Sequence, residues 1–180
     1  EPFGKIDTLN PLTIIQGISV NFSYQFASLS ELLKIRRKDK HVKVILFAGG
    51  GTNSAPKDYS VYITSKIGLI KLTELIDSEF NDVHPTIIGP GWVKTKIHQP
   101  TIDEGDKKSP KSFYETQRRF SENDFVPMSK VIECIFTIIH TKDQRFSGRN
   151  ISVQYDDWEN PNFLKNNEDQ NSLYKLRRIQ

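Results

Sequence analysis

The sequence predicts an α/β protein: a parallel sheet with helices packed on its faces. Two short runs predict the strands, VKVILF at residues 42–47 and PTIIGPG at residues 85–91. Both are continuously apolar and rich in β-branched residues, the pattern of strands covered on both faces. Between and around them the apolar spacing turns helical. The resulting order of helix, strand, helix, strand, helix, strand implies parallel strands joined by right-handed crossovers.

The first helix starts at Asn10–Pro11, a capping side chain followed by proline at the first helical position. Leu12, Ile15, Val20, Phe22, Phe26, Leu29 and Leu33 give it a broad apolar face up to the basic run KIRRKDK. The 42–47 strand stops at three glycines. From about Tyr59 to Phe80 the period is helical again, with Ile63, Ile67, Ile70, Leu72 and Leu75 among the apolar positions. The 85–91 strand ends in a Pro-Gly turn. Residues 96–127 are polar and read as a long loop holding a short helix around SFYETQRRF. Ser129 is placed to cap an apolar helix running to about His140, and RNISVQY forms the third strand. The Asn-, Asp- and Lys-rich tail from Asp156 is expected to pack as an irregular extension. Residues 1–155 thus read as one domain, with 96–128 as a substrate-loop region and 156–180 as a C-terminal extension.

A chain of 180 residues, 36% of them hydrophobic, is long enough for one globular domain with a core. Lys and Arg number 25 against 22 Asp and Glu, a balance that marks no nucleic-acid surface. Cys134 is the single cysteine, so no internal disulfide framework exists, and its setting VIECIFTII reads as a core thiol rather than a nucleophile. No apolar run approaches the roughly 20 residues that span a bilayer, so no membrane partner is expected and a cytoplasmic location is. The opening EPFGKID, without an initiator methionine, reads like a loop leaving an earlier element, and an incomplete chain is expected.

In open α/β sheets, ligands sit beyond the carboxyl ends of the strands. Three features fall there: AGGGTNS after the first strand, the start of the helix that carries YSVYITSK, and GPGWVKT after the second strand. Tyr62 and Lys66, four residues apart, share a helix face, so the ammonium can lower the phenol's pKa from its reference near 10. Such a phenol can give or take a proton at a carbonyl or carbinol. By spacing alone the pair reads first as a helix-surface contact. Ala48, Gly49, Gly50 and Trp92 would line a small-molecule substrate. The triple glycine is neither a phosphate loop nor a dinucleotide fingerprint, and it offers positive-φ conformations beside the presumed substrate or a plain flexible turn.

The order SVNF, VILFAGGGTN, YSVYITSKIGLIKLTELIDSEF and GPGWVKTKI resembles the short-chain dehydrogenase/reductase family, which uses Tyr-x-x-x-Lys followed by Pro-Gly-x-Val-x-Thr. The resemblance implies a Rossmann-like fold, here without its N-terminal βαβ half, and NAD or NADP as cofactor. It makes Tyr62 the general acid/base and Lys66 the residue that depresses its pKa and holds the nicotinamide ribose. Asn21 becomes the anchor of a water-linked proton relay, against the alternative of a polar residue satisfied at a helix bend. Pro90, Gly91, Val93 and Thr95 match the segment beside the nicotinamide, where a glycine lets main chain approach a ligand. The family also implies a homodimer or homotetramer formed by the long helices.

Two departures stand out. The family's catalytic serine falls at about Ala48 or Gly49, neither of which has a hydroxyl, and losing one such donor costs on the order of 10² to 10³ in rate. Thr52 and Ser54 are nearby hydroxyls, though turn residues of these types usually bond their own backbone. The glycine-rich turn that binds pyrophosphate in the family is also absent, so activity is expected to be impaired, and a catalytically weakened binding or assembly subunit is the alternative to an active oxidoreductase. FAGGGTN, GPGWVKTKIH, GRNISVQYDDW and LYKLRR further resemble a branch from bacterial polysaccharide and nucleotide-sugar clusters. Lys107, Lys108, Lys111, Arg118 and Arg119 could engage a diphosphate, or form a solvated loop of mixed charge with Asp103, Glu104 and Asp106. His98 lies at the expected pocket mouth.

Overall fold

The computed structural model describes residues 2–107, 109–165 and 172–176. Three parallel strands form the sheet in the order β1 (Val42–Phe47), β2 (Val83–Gly89), β3 (Arg149–Ser152). Val42 pairs with Val83 and Phe47 with Ile88 across the first ladder; Thr86 pairs with Arg149 and Gly89 with Ser152 across the second. All three carboxyl ends therefore lie along one edge.

The predicted first helix is interrupted. Asn10 caps it as expected, its side chain accepting from the Leu12 amide at 2.8 Å, and α1 runs Pro11–Ile18. A π-helical turn, Ser19–Ser23, then inserts before α2, Tyr24–Lys34. The wider turn rotates the apolar stripe out of step with a 3.6-residue period. Leu29 and Leu33 are buried in consequence, whereas Leu12, Ile15, Val20 and Phe26 are exposed.

β1 is only half-buried and Phe47 is exposed, contrary to the expectation of a strand covered on both faces. Its physical reason is position: β1 pairs with β2 alone and forms the sheet's edge among the described residues. β2 is the central strand and is buried almost throughout; it begins at Val83 and ends at Gly89, leaving Pro90 and Gly91 outside. Successive residues serve opposite layers, as a pleated strand requires. Val83 and Ile87 join Leu29, Leu33, Leu69, Ile70, Leu72 and Ile76 beneath α2 and α3 (Ser60–Glu79). Ile88 joins Val131, Cys134, Ile138, Phe146 and Ile151 beneath α6 (Met128–His140).

The segment expected to be mostly loop is largely helical, with α4 at Gln99–Glu104 and α5 at Pro110–Glu122. Pro127 occupies the N-cap position of α6 and Ser129 lies inside that helix, so Ser129 is not its cap. The third strand is shorter than predicted because the Asp156 carboxylate accepts the Ser152 amide at 2.7 Å and turns the chain. Beyond it, the Trp158 indole donates to the Val153 carbonyl at 3.0 Å and is buried. The Asn150 amide donates to the Tyr174 carbonyl at 2.8 Å, so the tail runs beside β3 without forming a strand. Residues 166–171 and 177–180 of the predicted extension, and Lys108, lie outside the described residues.

Candidate active site

The first long helix and α3 cross closely. A methyl built at Gly17 would fall 2.8 Å from Val61, and one built at Gly68 would fall 3.0 Å from the Phe22 ring. This close packing sets the π-helical turn against α3. Asn21 lies in that turn, 8% exposed, with its side-chain amide donating to the Gly17 carbonyl at 2.9 Å. Its own carbonyl accepts from the Gln25 side-chain amide at 2.9 Å. Both bonds lie within the helix itself, and Gln25 is a partner that no motif pointed to.

Tyr62 and Lys66 rise from the first turns of α3 toward the end of β1. The Lys66 side chain is buried, with Nζ donating to the Phe47 carbonyl at 3.1 Å and lying 5.6 Å from the centre of the Tyr62 ring. The Tyr62 ring lies against Gly49: a methyl built on Gly49 would fall 2.5 Å from Cζ and 2.6 Å from Cε1, and nearer still to the hydroxyl. The helix pair and the turn after β1 therefore meet at the sheet's carboxyl edge.

The three glycines of that turn differ. Gly49 is in close contact with Tyr62, Gly50 has open space where a side chain would go, and Gly51 takes a positive φ of 85°. Positive φ thus belongs to one of the three. Ala48 is 5% exposed within the core under α3, and its amide donates to the Ile88 carbonyl at 2.9 Å. Its side chain packs into that core one residue past the end of β1, leaving little surface for a substrate. Gly49, one residue on, faces the Tyr62 ring. The Thr52 hydroxyl donates to the Gly49 carbonyl at 3.5 Å, the local turn bond its residue type favours.

Pro90 to Thr95 follow β2 along the same edge. Gly91 has φ of 76°, and the space beside it is filled by Val126 and Gln154 of this chain. The Trp92 carbonyl accepts the Val126 amide at 2.7 Å, tying this segment to the start of α6. The Trp92 ring stacks on His98 with centroids 5.0 Å apart, and the Arg119 guanidinium sits 4.5 Å from its centre. Val93 packs against the α6 side of the core, its carbonyl bonded to His98 Nε2 at 2.9 Å. Thr95 accepts the Ile97 amide at 3.4 Å and begins a short turn. His98 is thereby a structural member of an aromatic cluster with Phe120 and Phe125.

Of the two readings of Arg118 and Arg119, the mixed-charge one describes their contacts, with carboxylates other than those anticipated. Arg118 donates to Glu115, Glu122 and Asp124, and Arg119 to Glu115 and Asp124. These partners raise the Arg118 pKa and hold the Glu115 carboxyl below its usual range, chiefly through the Arg118–Glu115 hydrogen bond. Helical spacing brings Glu115 and Glu122 within reach at i−3, i−4 and i+4, and the turn after α5 returns Asp124. Among the described residues no cluster of three metal-ligating side chains occurs, and no helix is long and apolar enough to cross a membrane.

Parallel strands with helices on both faces, and a tyrosine and lysine at their carboxyl edge, make a Rossmann-like arrangement. Solved short-chain dehydrogenase/reductases are similar to it in fold. The YIR035C short-chain dehydrogenase/reductase of Saccharomyces cerevisiae superposes with a TM-score of 0.76 at 17% identity over 91% of this chain and 64% of its own. A 4-hydroxyisoleucine dehydrogenase mutant, complexed with NADH and succinate, gives 0.67 at 19% identity over 84% of this chain and 61% of its own. A putative short-chain dehydrogenase from Escherichia coli, complexed with NADPH, gives 0.66 at 12% identity over 85% of this chain and 58% of its own. The chain thus spans about three fifths of the length of these structures. No protein-family model matches the sequence, and no curated protein matches it.

Proposed function

We propose that the protein is an NAD(P)-dependent short-chain oxidoreductase acting on a carbonyl or alcohol, with Tyr62 as its acid/base. The observation that carries this reading is the meeting of Tyr62 and Lys66 with the Gly49 turn at the strand ends, in a fold whose solved examples include NADH and NADPH complexes. The donor set fits the nicotinamide end of a dinucleotide: a phenol and an ammonium on adjacent turns of one helix, beside the crevice. Pyrophosphate binding calls for a glycine-rich turn and helix N-terminus that these residues do not provide. When bound, the nicotinamide supplies or accepts the hydride.

The chain's own residues handle the proton. In reduction, the Tyr62 hydroxyl gives its proton to the substrate oxygen as the carbonyl carbon is reduced; in oxidation it takes that proton back. Lys66 stabilises the phenolate by its charge and holds the ribose, and Asn21 anchors the water through which the proton is renewed. Pro90, Gly91, Val93 and Thr95 form the wall beside the ring, while Gly49, Gly50 and Trp92 border the substrate. The segments 96–107 and 109–128 are read as the substrate-loop region. A nucleotide-linked sugar as substrate rests on the sequence resemblance alone.

The test is turnover of a reduced nicotinamide with a panel of keto-sugars and simple ketones. Tyr62→Phe is expected to lower kcat by about 10² or more, the scale of a lost acid/base group. Unchanged turnover would sink the mechanism.

A second reading has its own supporting observation: Gly49 places no hydroxyl at the site, as expected of a weakened relative that serves as a binding or assembly subunit. Titration with NADH and NADPH separates the two, since a pure scaffold shows no saturable binding. Exposed Leu12, Ile15, Val20 and Phe26 support a homodimer or homotetramer through the long helices. Light scattering that finds monomer at high concentration refutes it.

A further inference from the structure

We propose that Gly49 is a positioning residue: its lack of a side chain seats the Tyr62 phenol, so that serine at this position would displace the acid/base instead of supplying a missing donor. This rests on the reading of Tyr62 as that group.

The argument is one of space. Ala48, the other position that could hold a hydroxyl, is buried in the core, which leaves Gly49 as the residue after β1 that faces Tyr62. A Cβ there would lie 2.5 Å from Tyr62 Cζ and 2.6 Å from Cε1, separations that side-chain carbons do not adopt. The atoms met are the outer end of a half-buried aromatic side chain. Tyr62 has two side-chain torsions and stands on α3, which is held by Gly17–Val61 and Gly68–Phe22 contacts and by a buried Lys66 bonded to the Phe47 carbonyl. The Gly49 backbone is the firmer of the two sides, since it continues directly from Ala48, whose amide bonds the Ile88 carbonyl at 2.9 Å. A side chain at Gly49 therefore moves the phenol. Rates fall by roughly 10²-fold for misplacements near 1 Å.

A reading based on the missing hydroxyl expects the opposite, that Gly49→Ser restores rate. The decisive measurement is a thermal double-mutant cycle on the chain, made without any cofactor. Gly49→Ala is expected to lower Tm by about 4 °C or more in the presence of Tyr62, and by about 1 °C or less in a Tyr62→Ala background. Should Gly49→Ala alone fail to fold, recovery of folding in the double variant is the same coupling. Equal costs in the two backgrounds overturn the proposal. A 13C label at tyrosine Cζ, with the Tyr62 signal assigned by its loss in Tyr62→Phe, reads the phenol directly. Its titration midpoint is expected to move in Gly49→Ala, and an unmoved midpoint refutes positioning even where the cycle shows coupling. In turnover, Gly49→Ser is expected to lose about 10-fold or more, and a gain overturns the proposal. Failure of the acid/base reading is distinguishable, because it appears as turnover indifferent to Tyr62→Phe while the thermal coupling persists.

Discussion

Gly91→Ala tests whether the turn after β2 is demanded by the protein's own packing or by a bound ligand. At φ of 76° an added Cβ meets an unfavourable backbone conformation, costing roughly 1–2 kcal/mol. The same Cβ falls 2.7 Å from Val126 Cγ2 and 3.2 Å from Gln154 Oε1, an overpacking worth about 1–3 kcal/mol. Together these give roughly 2–5 kcal/mol, or a Tm lowered by about 4–20 °C for a domain of this size. Thermal unfolding followed by circular dichroism, with no cofactor present, reads the change. Val126→Ala costs stability by itself but removes the facing methyls, so the overpacking part should vanish in the double variant while the conformational part remains. A Gly91→Ala protein that melts within about 1 °C of wild type, or a double variant whose costs simply add, would refute this reasoning.

Two other predictions concern titrating groups. His84 stacks on His41 with Nε2 and Nδ1 3.0 Å apart, and burial, followed by His41 and Lys43, lowers its pKa from 6.5. A depressed histidine favours the fold while neutral, so stability is full above about pH 6.5 and is lost as pH falls through the folded-state value. Tm should therefore drop between about pH 7 and 5, and His84→Gln should flatten that slope. Burial pushes the Cys134 thiol up to about 12, with Asp156 and Glu159 adding to the rise. The native protein at pH 8 should resist a thiol reagent that labels it promptly in denaturant; fast native labelling would contradict the buried placement.

Much of the fold was legible because it depends on short-range pattern. Continuous apolar runs announced β1 and β2, and the change of period announced α3 and α6. The π-helical turn left no such trace. Nothing in SVNFS distinguishes it from an ordinary turn, because it is set by how closely Gly17 and Gly68 bring two helices together. The helical content of residues 96–127 was also underestimated. In α5 the apolar residues are few, and its docking depends on Trp92, His98 and Arg119, which meet only after the chain folds.

At the candidate site, the Tyr62–Lys66 spacing was visible as a motif, whereas the roles of the glycines were not. One triplet holds a close contact at Gly49, open space at Gly50 and a positive φ at Gly51, differences that no local rule assigns. Nor did sequence separate Ala48 from Gly49 as the position that faces Tyr62, since a strand end can twist either residue outward.

By itself the sequence determined the alternation of helices and parallel strands, the capped start of the first helix, and the presence of a tyrosine and a lysine on one helical face. Those follow from side-chain periodicity and from hydrogen bonds between near neighbours. Tertiary structure alone decided that Phe47's carbonyl holds Lys66, that Tyr62 occupies the space above Gly49, and that Arg118 and Arg119 are committed to carboxylates. Contacts of that kind depend on distances of a few ångströms between elements. Such distances are set by the summed packing of the whole chain rather than by any one stretch of it.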